Sequence, residues 1–171
     1  MKTIIGMLLL MASGVMAQKT DTRSILLEQL KSTHNNKGWF VPVNTAIEGM
    51  TAERAAWTDK GNHSVGQLTF HLMFWNERVL NDLKGEKNAA FSGNNNETFD
   101  KFDQAQWNNV VKRLDEVLTG IEKWVETATE EQLSKNAATI ANISAHNAYH
   151  TGQIIVVRKA QGSWDAEKGV K

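Results

Sequence analysis

Beyond an apolar N-terminal run, hydrophobic residues recur at helical spacing along nearly the whole chain, with no sustained alternation of period two. The pattern predicts an all-α protein. A first helix is expected from about Thr22 to Asn35, with Ile25, Leu26, Leu27 and Leu30 on its apolar side and Asn35-Asn36-Lys37-Gly38 ending it. An irregular connection follows through Trp39, Gly49 and the single proline, Pro42, with short helical turns at Asn44 to Glu48 and after Thr51. Ser64, with Gln67 three positions later, forms a capping-box pattern that opens a second long helix, where Val65, Leu68, Leu72, Trp75 and Val79 make an apolar stripe. Lys84 to Asp100 reads as a long polar loop, of the kind that borders a site or lies in solvent. A third helix, from about Phe102 to Ala128, carries Trp107, Val110, Val111, Leu114, Val117, Leu118, Ile121, Trp124 and Val125 at a period of about 3.6 residues, which makes them core. Thr129-Glu130-Glu131-Gln132 repeats the capping pattern and is expected to start a short turn. The last helix is then expected from about Ala137 to Ala160, with Gly162 as its stop.

The N-terminal run has the make-up of an export signal: Lys2 as a positive start, Ile4 to Met16 as an apolar stretch, and Val15-Met16-Ala17 as a small-residue cleavage site before Gln18. It is shorter than the ~20 residues of a spanning helix, so stable membrane insertion is not expected. The expected division is therefore a signal at 1–17 and a single domain at 18–171, with export to the periplasm or the exterior expected. The whole chain has Lys+Arg 19 and Asp+Glu 19, and loss of Lys2 leaves it close to neutral, so no nucleic-acid partner is implied. There is no cysteine. That excludes disulfides, a lipid-modified cysteine, thiolate ligands and a cysteine nucleophile, and any metal site must use nitrogen and oxygen donors.

Histidine is where the candidate chemistry lies. His146 and His150 are four positions apart and project from one helical face, on the stripe that also holds Ile143, Ile154 and Val157. His71 lies on another helix, beside apolar Leu72, Phe74 and Trp75, where an imidazole needs a polar partner or a metal. In an antiparallel four-helix bundle these three could share one divalent cation. The bland reading is a solvated or core-satisfied HxxxH pair and a His71 bonded to a neighbouring helix. Zinc, nickel and iron(II) all suit such ligands, and three neutral imidazoles leave a coordination position open. His34 falls at the end of the first helix and reads as a charge complement to its C-terminus. His63 precedes the cap of the second helix and reads as a surface residue or one that touches a ligand. Glu77 points away from His71 and is a weak ligand candidate, whereas Gln153 is placed to reach His150. Tyr149 and Asn147 leave the last helix in other directions.

Asn62 to His71 taken with His146-Asn147-Ala148-Tyr149-His150-Thr151-Gly152-Gln153-Ile154 resembles the DinB/YfiT-like family, and the resemblance spans nearly the whole mature chain. The string Tyr149 to Ile154 looks like that family's last-helix signature, and Trp39 and Gly162 fall where such chains tend to have them. The resemblance implies a four-helix bundle holding a divalent metal through His71, His146 and His150. It leaves the reaction open among thiol-dependent S-transferases, a thiol-dependent isomerase and metal-dependent hydrolases. Export separates the protein from the cytoplasmic thiols, so a hydrolase acting on a small-molecule substrate is favoured. A non-catalytic metal-binding module and an interaction bundle remain as alternatives, with a homodimer among the partners considered.

Overall fold

The computed structural model describes residues 21–58 and 61–170, and these are helix, turn and loop without a strand. The expected signal segment and its cleavage point lie outside the described residues. Seven α-helices follow in order: α1 (Thr22–His34), α2 (Val43–Ile47), α3 (Ala52–Ala56), α4 (Val65–Lys84), α5 (Glu97–Asp100), α6 (Trp107–Thr127) and α7 (Glu130–Ala160). Short 3-10 turns occupy Gln104–Gln106 and Ala166–Lys168. No helix among the described residues is long and apolar enough to cross a membrane.

Four long helices make the body: α4 packs on α6 and α7, and α1 packs on the same two. Their apolar faces meet in two clusters. One joins Val65, Leu68 and Leu72 of α4 to Leu114 and Leu118 of α6 and to Ile154 and Val157 of α7. The other joins Leu26 and Leu30 of α1 to Leu80, Val117, Ile121, Val125, Leu133 and Ile140. Full burial of each such aliphatic side chain contributes on the order of 1.5–3 kcal/mol.

The capping signals act as the sequence suggests. Ser64 Oγ accepts from Gln67 N at 3.0 Å while Gln67 Oε1 accepts from Ser64 N at 2.9 Å, and α4 starts on the next residue. Gly85 ends it with φ +72°, a left-handed conformation that glycine adopts without a Cβ clash.

Two expected boundaries are corrected. Thr129 does cap a helix, with Gln132 N donating to its Oγ1 at 3.2 Å, but that helix is α7 itself, not a separate turn. No glycine or proline interrupts 130–137, and Leu133 and Ile140, both fully buried, keep one helical phase through the segment. The third long helix begins at Trp107, not Phe102, and the long loop contains α5.

His34 is also corrected. It is buried, not fraying at a solvated end: its Nδ1 lies 2.7 Å from Glu122 Oε1 and its Nε2 lies 2.9 Å from Asp115 Oδ1, both on α6. Packing of the last turn of α1 against α6 turns an expected helix-end charge into an interhelical ion pair.

Candidate metal centre

α4 and α7 bring His71, His146 and His150 together, and one ring nitrogen of each lies within 4.8 Å of the others. His71 and His150 are buried and His146 is partly so. The ring centroids of His71 and His146 are 5.0 Å apart, and each lies 4.5 Å from that of His150.

Neighbouring groups decide which nitrogens are bare. The Thr98 hydroxyl donates to the carbonyl oxygen of Asn95 at 2.6 Å, so its oxygen must accept from His71 Nδ1, also at 2.6 Å. The proton on His71 is thereby held at Nδ1, leaving the Nε2 lone pair free. On α7, His150 Nδ1 lies 2.6 Å from Gln153 Oε1, an acceptor, so its Nε2 is bare as well. Gln153 in turn donates from Nε2 to Tyr149 Oη at 3.2 Å.

His146 completes the group differently. Its Nε2 lies 3.0 Å from His71 Nε2, and its Nδ1 is buried with no hydrogen-bond partner. A buried polar atom without a partner is costly. The close approach of two Nε2 atoms suits a cation, since zinc–nitrogen bonds are ~2.0–2.1 Å long. Two bare Nε2 atoms and a third that lies 3.0 Å from one of them fit a divalent ion bound through nitrogen.

Burial dominates the electrostatics. It drives His71 down to about 3, helped by the nearby His150, His146 and His63, and drives His146 down to about 4, helped by His150. His150 is lowered by burial despite the opposing bond from Gln153. At neutral pH all three are therefore neutral imidazoles, the form that ligates metal.

A cavity of about 680 Å³ opens beside the three rings, walled by Trp75, Val79, Phe99 and Ile143, with Asn95, Asn142 and Tyr149 also lining it. No aspartate, glutamate, lysine or arginine lines it. The 97–106 segment that supplies Thr98 and Phe99 is held close to α4 at Gly66, where any Cβ would collide with the Phe102 ring. Phe99 then stacks on His71 at 4.0 Å and on His63 at 3.9 Å.

Of the other residues read from sequence, His63 is an exposed ring separated from the ligand group by Phe99. Glu77 lies outside the centre, bonded to Arg113 of α6 at 2.6 Å. Gln153 touches His150 as its spacing suggests, and Tyr149 stands exposed at the cavity edge. Sequence reasoning missed Thr98, Phe99 and Asn76. Nothing in the asparagine-rich loop singles out Thr98 or Phe99. Asn76 did leave a signal, a polar residue at i+4 from Leu72 and i−4 from Leu80 on an apolar stripe.

Comparison with known families matches the DinB superfamily over residues 43–154, a span that contains all three histidines. No curated protein and no solved structure matches the chain.

Proposed function

Since this chain belongs to the DinB superfamily, we propose that it is an exported, metal-dependent hydrolase whose ion is held by His71, His146 and His150. In this reading residues 1–17 are removed on export and residues 18–171 form one domain, a four-helix bundle of α1, α4, α6 and α7. The order of core residues supports the bundle. Along α4 the chain passes from the Leu72 cluster to the Leu80 cluster, and along α7 from Ile140 to Ile154 it passes back, an order that supports an antiparallel reading of these two helices.

The observation that carries the proposal is the convergence of three neutral imidazoles on the edge of an uncharged cavity. A divalent ion held by three nitrogens with an open position supplies Lewis acidity, polarising a carbonyl and acidifying water. The chain's own residues do the rest. Thr98 and Gln153 hold the proton of His71 and His150 at Nδ1 and keep Nε2 turned inward. Trp75, Val79, Phe99 and Ile143 offer an apolar wall to an uncharged acyl group. Thiol transfer could use the same open position, but export favours hydrolysis because the thiol donors belong to the cytoplasm.

Metal-stripped mature protein titrated with zinc, nickel and iron(II), then screened against nitrophenyl esters, anilides and thiol conjugation, tests the reading. The expected result is near-stoichiometric binding and an esterase or amidase rate that chelation removes and metal restores. Alanine at any one of His71, His146 or His150 should weaken binding sharply, and alanine at His34 should not. Undiminished binding by His71→Ala would sink the three-ligand site. Turnover confined to thiol conjugation would replace hydrolysis with transfer.

A further inference from the structure

The metal reading requires α4 and α7 to keep one axial register, since His71 comes from one helix and His146 and His150 from the other. Apolar packing does not provide this by itself, because hydrophobic burial is non-directional and tolerates rearrangement. Midway between the two apolar clusters, however, the helices face each other with amides. On α4, Asn76 lies between Leu72 of one cluster and Leu80 of the other; on α7, Asn147 lies between Ile140 and Ile154. Both are buried, at 0% and 1% exposure.

The two side chains satisfy each other. Asn76 Nδ2 donates to Asn147 Oδ1 at 2.7 Å, and Asn147 Nδ2 donates back to Asn76 Oδ1 at 3.0 Å. Asn76 Nδ2 also donates to the Leu72 carbonyl oxygen at 2.8 Å, which fixes its orientation on its own helix. The neighbouring buried hydroxyls of Thr69, Ser144 and Thr151 all bond to carbonyl oxygens of their own helices and link nothing across. Among the described residues, the side-chain hydrogen bonds joining α4 to α7 are this reciprocal pair and the His71–His146 contact.

We propose that Asn76 and Asn147 are positioning residues for the histidine centre, setting the α4–α7 register that brings His71 to His146 and His150. The inference rests on the metal reading. A slide of one residue's rise, ~1.5 Å, would break both amide bonds and strand buried donors and acceptors, so the pair admits one alignment. Asn147 directly follows His146 in the chain, so any register the amides select is imposed on that ligand at once. Replacement of a buried polar pair by apolar residues of similar volume is often neutral or stabilising, whereas the specificity the pair conferred can be lost. Stability and metal geometry should therefore separate.

Cobalt(II), whose visible absorption reports coordination geometry, is the probe. Mature wild-type protein is compared with Asn76→Leu/Asn147→Leu and with Asn76→Ala/Asn147→Ala, which removes the link without adding bulk. The leucine pair should keep its helical circular dichroism and melt at or above the wild-type temperature, yet bind cobalt at least ~10-fold more weakly with an altered spectrum, the scale of losses seen when ligand-supporting groups are removed. Wild-type cobalt affinity and spectrum in either folded variant would overturn the positioning role while leaving the metal site intact. A wild-type chain that takes up no cobalt, zinc, nickel or iron would remove the metal reading and this inference with it.

Discussion

Thr98 and His71 are joined by a 2.6 Å contact whose direction is set elsewhere: the threonine hydroxyl spends its proton on Asn95, so the imidazole must donate. Thr98→Val keeps the side chain's shape and removes the acceptor. Metal affinity should fall by roughly 10- to 100-fold, the usual cost of losing a group that orients a ligand, with little change in helix content. Calorimetric titration of the stripped proteins measures it, and equal affinities would show that Phe99 stacking alone orients the ring.

Burial moves the pH window for metal binding. From sequence, affinity is expected to fall as pH drops through the ordinary histidine value of about 6.5. In the fold, His71 is held down to about 3 and His146 to about 4, and protons compete for a nitrogen only near its own pKa. Affinity should therefore persist below the ordinary histidine range, begin to fall as protons reach His150, whose value is also lowered by burial, and fall further as pH nears 4. Zinc titrations from pH 7 to about 4, with circular dichroism in parallel, check this; a tenfold loss between pH 7 and 6 would contradict it.

His34 behaves in the opposite sense. Burial alone would lower it, but hydrogen bonds to Glu122 and Asp115 outweigh burial and raise it above the ordinary value. A raised folded pKa means folding favours the protonated form, so the stabilisation is fully present below about pH 6.5 and is lost as pH rises through the folded value. The metal-free wild type should lose stability over that alkaline interval more steeply than His34→Gln. The lowered values of His71, His146 and His150 act below about pH 6.5, which separates the two effects. Urea midpoints between about pH 6 and 9 decide it, and parallel curves for the two proteins would refute the role of the ion pair.

Leu114 is fully buried on α6 within the cluster that also holds Leu68, Leu72 and Ile154. Leu114→Ala should cost roughly 2–5 kcal/mol, the range for a large-to-small change in a packed core. Denaturant unfolding gives the value, and a loss below about 0.5 kcal/mol, typical of surface positions, would be incompatible with this packing.

Much of the fold was legible because helix formation follows local rules. The spacing of Val110, Leu114, Val117 and Ile121, the capping pair Ser64–Gln67 and the stop at Gly162 act within a few residues of chain, while Thr129–Gln132 was legible as a cap but not as the start of the last helix. His71, His146 and His150 were legible for the same reason, since the four-residue spacing of the last two and the apolar setting of the first are visible in one dimension. Contacts between distant segments decided the rest. Thr98 reaches His71 across 27 positions, His34 reaches Glu122 across 88, and Asn76 reaches Asn147 across 71. No sequence spacing marks any of these pairings, although Asn76 by itself stands out as a polar residue on the apolar stripe of α4. Residue type and local periodicity determined which side chains could ligate, and tertiary packing alone decided which nitrogens are bare, which are neutral, and what holds the two ligand-bearing helices in step.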